Sequence, residues 1–352
     1  MSDPRQNIKP VVRALRAYSL SPHRASVKLN QNENPWDAPM WIKEEVLRRF
    51  SAREWSRYPD FIPVSLHERL AAFAGWKPDG IIAGNGSNEL IQAVLMVIIE
   101  PGKRVLISEP TFALYKQVAT VLGGEVESVL LTSALEYDTA RLLEAVKERQ
   151  PDVTIICSPN NPTGCLMPEE DLRALLRAAR GLVVIDEAYH EFSQQTAVPL
   201  LNDHGNLIVL RTFSKAMAFA ALRVGYLLAA PDLVREIRKA VLPYNLNAFS
   251  QIAAEVAVER YKSDLLPIVK EIIAERDRLR HGLSIMGGFI AVESKANFMV
   301  VRSGRDPKAI FSDLLAQDIL VRDVSSYPML SQYFRVSVGT PDENDRLLAA
   351  LR

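Results

Sequence analysis

VTIICSPNNPTG at residues 153–164, LVVIDEAY at 182–189 and LIVLRTFSK at 207–215 decide the fold. Each opens with a nearly unbroken apolar run and then turns polar. Strands covered on both faces read this way, because neither face can be left to water. Working outward, GIIAG (80–84), RVLISE (104–109) and VGYLLA (224–229) have the same character. Between the runs lie stretches with helical periodicity, such as NELIQAVLMVII, TARLLEAVKER and EEDLRALLRAAR. Such alternation predicts an α/β fold: a mostly parallel central sheet with helices on both faces.

After about residue 232 the pattern changes. A long helical run, SQIAAEVAVERYKSDLLPIVKEIIAERDRLRHGL, carries Pro267 as a break or bend. ANFMVVR (296–302), a helix near 307–317, ILVR (319–322), FRVSVG (334–339) and a last helix opened by Pro341 fit a smaller α+β domain. We therefore divide the chain into an N-terminal arm (1–34), a large domain (35–245) and a small C-terminal domain (246–352). The arm is expected to lie across the small domain or a partner.

The 42 basic residues balance 42 acidic ones, which argues against nucleic acid or an anionic membrane as partner, since both reward a basic excess. Cys157 and Cys165 flank a Pro- and Asn-rich turn with no further cysteine to complete a zinc site. They read as reduced thiols, and no metal is expected. MSDPRQNIKPVVRALR lacks a signal-peptide core, and AVLMVII (93–99) is among the longest apolar stretches, far short of the roughly 20 residues of a membrane span. The expected compartment is the cytoplasm.

Ligands of α/β sheets gather at the carboxyl ends of strands, so the polar residues after each run are the candidates. Lys215 follows Thr212 and Ser214 and precedes Arg223 in a small-residue segment. A lysine amine condenses with a carbonyl, and hydroxyls with an arginine fork suit a phosphate. Asp186 either caps its turn or stays ionised against a protonated ring nitrogen, as pyridoxal phosphate requires. Tyr189 and Asn161 are alternative donors to the phenolic oxygen of such a ring. GNGSNE (84–89) departs from the dinucleotide fingerprint at Glu89. It reads either as a plain helix start with Ser87 as N-cap or as a phosphate-binding turn.

SPNNPTG, VVIDEAY and TFSKAMAFAALRVGY, in this order and spacing, resemble the fold-type-I pyridoxal-phosphate aminotransferases. LNQNENPW, RYPD (57–60), GNGSNELI, EPTFALY (109–115) and FRVSVGTPDEN (334–344) narrow the resemblance to the histidinol-phosphate aminotransferases, over nearly the whole chain. The resemblance implies pyridoxal 5'-phosphate as cofactor, Lys215 as its covalent anchor and proton shuttle, and Asp186 at the ring nitrogen. It puts Tyr189 and Asn161 at the ring oxygen, and Ser87, Asn88, Thr212, Ser214 and Arg223 around the phosphate. Tyr58 would reach the phosphate across a homodimer interface. Arg335 and Arg322 would bind small-molecule substrate anions, with Tyr18 a further contact from the arm.

Phe112 stands where the family often stacks a tyrosine on the ring; it keeps the aromatic face and loses the hydroxyl. Trp36 and Asp37 replace a Tyr-Gly pair, which points to an altered pocket mouth. The implied reaction is amino transfer between L-histidinol phosphate and 2-oxoglutarate in histidine biosynthesis. Threonine-phosphate decarboxylation in cobalamin synthesis and aromatic aminotransfer are the alternatives on the same scaffold. A non-catalytic cofactor-binding regulator lacks a spare module in this chain, and a nicotinamide dehydrogenase lacks its glycine fingerprint.

Overall fold

The structure is a computed structural model describing residues 3–17 and 22–352. Thirteen strands occur among these residues: β1 (Val27–Lys28), β2 (Ile81–Gly84), β3 (Arg104–Glu109), β4 (Glu125–Leu130), β5 (Val153–Cys157), β6 (Leu182–Asp186), β7 (Leu207–Thr212), β8 (Gly225–Ala229), β9 (Phe289–Ala291), β10 (Phe298–Ser303), β11 (Ile319–Leu320), β12 (Arg322–Asp323) and β13 (Tyr333–Ser337).

Seven of them form the large sheet in the order β2-β8-β7-β6-β5-β3-β4. Every neighbouring pair is parallel except those made by β8, which runs antiparallel to both β2 and β7. Two reversals cancel, so β2 points the same way as β5, β6 and β7. The turns after these four strands therefore share one edge, as their sequences imply.

The apolar runs are continuous because alternate residues face two different cores. Val183 and Ile185 of β6, with Leu207 and Val209 of β7, enter one cluster. Val184, Ile208 and Leu210 enter the other. Helices Met40–Ser51, Val64–Ala74 and Glu169–Ala178 cover the first face; Ser87–Ile98 and Leu114–Leu122 cover the second. Each fully buried Leu or Ile adds about 1.5–3 kcal/mol, so a polar residue on either face would be costly.

β4 was not foreseen. It is one of the two edge strands, with Glu125 and Leu130 exposed and only Val129 buried. An edge covered on fewer sides accepts the glutamates that break its apolar pattern.

The second sheet, β12-β13-β10-β9, is wholly antiparallel. Helices Leu266–Ser284, Pro307–Ala316 and Pro341–Ala350 pack on it through Leu279, Leu283, Ile310, Leu314 and Leu347. The first segment contains a short helix, Pro10–Ala14, and β1, which pairs in parallel with β11. The arm is thus tied to the small sheet's side of the molecule.

The long helical run divides before Pro267. Helix Ala248–Arg260 ends in a π-helical turn, Tyr261–Leu265, and Pro267 sits in the first turn of the next helix, where its missing N–H is harmless. Helix Ala248–Arg260 packs with the large sheet's core through Ile252, Ala253, Val256 and Ala257. Packing on the large core therefore extends past residue 245, because small apolar residues on this helix let it sit closely against Met40–Ser51 and Val64–Ala74. No helix among the described residues is long and apolar enough to cross a membrane.

Candidate active site

Between the two sheets lies a cleft of about 490 Å³ lined from both. On the large-sheet side, β2 ends in a turn at Gly86, whose φ is +81°. A Cβ there would lie 2.5 Å from Arg223 Nη2, so glycine is what lets the guanidinium approach the backbone. Gly86, not Ser87, is the N-cap; Ser87 is the first residue of a twelve-residue helix whose first turn has no side-chain cap. Glu89 does not cap it either, because its carboxylate accepts from Asn85 N (2.6 Å) and Asn245 Nδ2 (2.8 Å). The helix start thus presents N–H groups and a partial positive charge to the cleft.

Thr212 and Ser214, at the end of β7, are buried and hydrogen-bonded through their hydroxyls at 3.0 Å. Arg223 Nη1 donates to Ser214 Oγ (3.2 Å) and to Ala220 O (3.1 Å). Ser87, Asn88, Thr212, Ser214 and Arg223 all line the cleft. Together they form a cup of hydroxyl, guanidinium and helix-start donors, matched to a phosphate.

Asp186 ends β6 and is 3% exposed. It accepts from Tyr115 Oη at 2.6 Å and from Ala188 N at 3.1 Å. Burial raises its pKa to about 6, against the lowering effect of those bonds. A carboxylate so placed gains by facing a cationic partner such as a protonated ring nitrogen. Tyr115 belongs to EPTFALY, and sequence reasoning gave it no role; a tyrosine buried beneath a strand-end carboxylate becomes visible only in three dimensions.

Lys215 Nζ donates to Gln31 O at 3.0 Å and lies 5.9 Å from the Tyr189 ring centroid. Burial, then the charge of Arg335 and more weakly that of Arg223, bring its pKa down to about 8, opposed by Glu33. Burial likewise pushes the Tyr189 phenol well up, so it stays protonated; Arg335 opposes this.

Asn161 Oδ1 accepts from Arg335 Nη1 at 2.6 Å, which turns the amide so that its NH₂ remains as the donor. The preceding Asn160 is fully buried and fastens the turn: Nδ2 donates to Pro110 O and Thr163 Oγ1, and Oδ1 accepts from Thr111 Oγ1. Arg335 Nη2 also donates to Asn30 O (2.9 Å). Arg322 and Arg335 are paired residues on antiparallel β12 and β13, and both line the cleft with Phe112. The two arginines, paired across the small sheet, bring to the cleft guanidinium groups of the kind that bind carboxylates and phosphates.

Tyr58 does not reach this cleft within one chain. It is 77% exposed and stacks on Tyr244 at 4.5 Å. Tyr18 lies outside the described residues. Trp36 and Asp37 are not among the residues lining the cleft: Trp36 packs against the cluster containing Tyr189 and Phe298, and Asp37 pairs with Lys43. Bulk at Trp36 is absorbed by packing, and the Asp37 charge is held outward by its lysine.

The site residues fit an aromatic aldehyde carrying a phosphate and a basic ring nitrogen: a buried amine, a buried carboxylate and a phosphate cup share one cleft. The model of the class I and II aminotransferases matches residues 24–351. A histidinol-phosphate aminotransferase of Chlorobium phaeobacteroides is 39% identical, the match covering 99% of this chain and 97% of that protein. One of Chlorobaculum parvum is 38% identical over 99% of each. Among solved structures, histidinol-phosphate aminotransferase from Sinorhizobium meliloti, in complex with pyridoxal-5'-phosphate, has a TM-score of 0.88 at 25% identity, covering 98% of this chain and 96% of that one. The chain therefore belongs to the class I and II aminotransferases, with a fold-type-I architecture and an aminotransferase's enzymatic activity.

Proposed function

We propose that this enzyme moves an amino group between L-histidinol phosphate and 2-oxoglutarate, using pyridoxal 5'-phosphate, in histidine biosynthesis. The amine of one substrate becomes the ketone of imidazole acetol phosphate, and the ketone of the other becomes the amine of glutamate. The observation that carries the reading is the meeting of Lys215, Asp186 and the Arg322–Arg335 pair in one cleft. The names of relatives that match nearly the full chain favour histidinol phosphate over the decarboxylase and aromatic-aminotransferase alternatives.

When bound, pyridoxal phosphate supplies an aldehyde for the amine and a ring that takes up the electrons left when the substrate carbon loses its proton. Lys215 would anchor that aldehyde and, once displaced by the substrate amine, its Nζ would take the proton from the amine-bearing carbon and return it to the former aldehyde carbon. A pKa near 8 leaves an appreciable neutral fraction at neutral pH for this task. Asp186 would hold the ring nitrogen protonated, with Tyr115 orienting its carboxylate. Asn161 and Tyr189 donate to the ring oxygen, and Phe112 offers a ring face. Ser87, Asn88, Thr212, Ser214 and Arg223 hold the cofactor phosphate. Arg335 and Arg322 hold the carboxylate or phosphate of the alternating substrates, with Tyr18 a further substrate contact.

The active form is a homodimer in the cytoplasm. Support for the dimer is the exposed ring cluster of Tyr58, Phe61 and Tyr244, with Trp55 and Leu242 exposed as well. Across that cluster Tyr58 would reach the partner's phosphate cup. Two free cysteines agree with a reducing compartment.

The test is product analysis. Purified protein with pyridoxal phosphate is expected to convert L-histidinol phosphate and 2-oxoglutarate to glutamate. Release of carbon dioxide from L-threonine O-phosphate, with no glutamate from histidinol phosphate, would overturn the substrate assignment.

A further inference from the structure

Asn32 lies in the segment that crosses the cleft, is 2% exposed and has a φ of +54°. This left-handed conformation is one that asparagine tolerates better than most residues. Its polar groups are bound on every side. The backbone N–H donates to Ser337 Oγ at 2.8 Å, and Ser337 Oγ donates to Asn32 Oδ1 at 3.2 Å. Asn32 Nδ2 donates to Tyr189 Oη at 3.1 Å, and Asn32 O accepts from Asn297 Nδ2 at 3.1 Å. Ser337 stands on β13, two residues beyond Arg335. The neighbouring carbonyls of Asn30 and Gln31 accept from Arg335 and Lys215.

This chain of donors has a direction. A backbone N–H only donates, so Ser337 Oγ accepts from it and gives its own proton to Asn32 Oδ1. With Oδ1 engaged, the amide presents N–H to Tyr189, whose oxygen accepts. The phenol's own proton is then left to point into the cleft. With the amide reversed, Tyr189 would donate to Asn32 and turn lone pairs toward the ligand.

We infer that Asn32 is a positioning residue that, by donating to Tyr189 Oη, fixes this phenol as a hydrogen-bond donor to the ring oxygen of pyridoxal phosphate. The inference rests on the reading of the cleft proposed above. It assigns a task to a residue that acts through Tyr189.

The test is a pH titration of the visible absorbance of the reconstituted protein, without any amino substrate. Asn32→Asp tolerates the same backbone conformation but only accepts, so it draws the phenol's proton away from the cleft. Loss of a donor at the ring oxygen raises the proton affinity of the bound chromophore. Its apparent pKa is expected to rise by about one unit in Asn32→Asp and in Tyr189→Phe. Ser337→Ala frees Oδ1 without adding charge and is expected to shift the titration in the same direction. It also serves if Asn32→Asp fails to fold. In a Tyr189→Phe background, Asn32→Asp should add no further shift.

Unchanged titration in Asn32→Asp or Ser337→Ala overturns the inference. So does an undiminished shift in the double variant, since the bare charge of the introduced carboxylate would act without any tyrosine. A wild type that takes up no pyridoxal phosphate overturns the reading of the cleft and the inference together; a wild type that titrates normally confines any failure to Asn32.

Discussion

Lys215 and Asp186 are displaced from their ordinary pKa values in opposite directions, and both displacements come first from loss of water. The amine falls to about 8 and the carboxyl rises to about 6. In cofactor-free protein, folded Asp186 binds more protons than the unfolded chain between pH 3.8 and about 6. Its contribution to stability therefore falls as pH rises through that window. Folded Lys215 binds fewer protons than the unfolded chain between about 8 and 10.5, so its contribution recovers as pH rises there. Asp186→Asn should flatten the first slope in urea midpoints measured against pH, while slowing turnover about a hundredfold or more. A wild-type slope in the variant would contradict the placement of that carboxyl. Lys215→Ala should abolish turnover and, at pH 7, leave the apoprotein as stable or more stable by on the order of 1–2 kcal/mol. Thermal melting and a multiple-turnover assay check the two halves separately.

Elements carry these residues to one place, and the turn at Gly86 shows how little slack they have. Its positive φ and the 2.5 Å approach of Arg223 Nη2 leave no room for a side chain. Gly86→Ala should weaken pyridoxal-phosphate binding by about tenfold or more, a cost of about 1–3 kcal/mol from backbone strain and a displaced guanidinium. Equilibrium dialysis of the cofactor measures it, and unchanged affinity would mean that Arg223 is not part of the cup. Much at this scale was legible in the sequence. The six apolar runs became strands because both sheet faces are buried, and the polar residues after β2, β5, β6 and β7 met at one edge because β8 reverses against both its neighbours. β4 was hidden by its solvated edge. The π-helical turn at Tyr261–Leu265 left no mark beyond the nearby Pro267. Ser87 was misplaced by one position, since glycine's backbone, with no side-chain oxygen, begins that helix. Asn32 and Tyr115 were missed for a shared reason: each acts on a partner more than 70 residues away, Tyr189 and Asp186 respectively, and no local pattern announces such a pairing.

For the whole molecule, the cleft uses both sheets, and the two proposed anion-binding groups sit one on each. Lys215 and the phosphate cup come from the large sheet, Arg322 and Arg335 from the small one, and residues 30–34 cross between them. The exposed Trp55, Tyr58, Phe61 and Leu242 lie outside this arrangement in one chain. If the proposed homodimer forms through these side chains, Leu242→Asp should give monomers in sedimentation velocity and loosen cofactor binding, because Tyr58 would not reach a partner's site. A dimer that survives this substitution with normal affinity would contradict that interface.

The most direct test of the central claim is to reconstitute the wild type with pyridoxal phosphate, reduce it with borohydride, and map the modified peptide by mass spectrometry. One reduced pyridoxal phosphate on Lys215 is expected, with no such label in Lys215→Ala. A label on another lysine, or an unlabelled wild type, would contradict it.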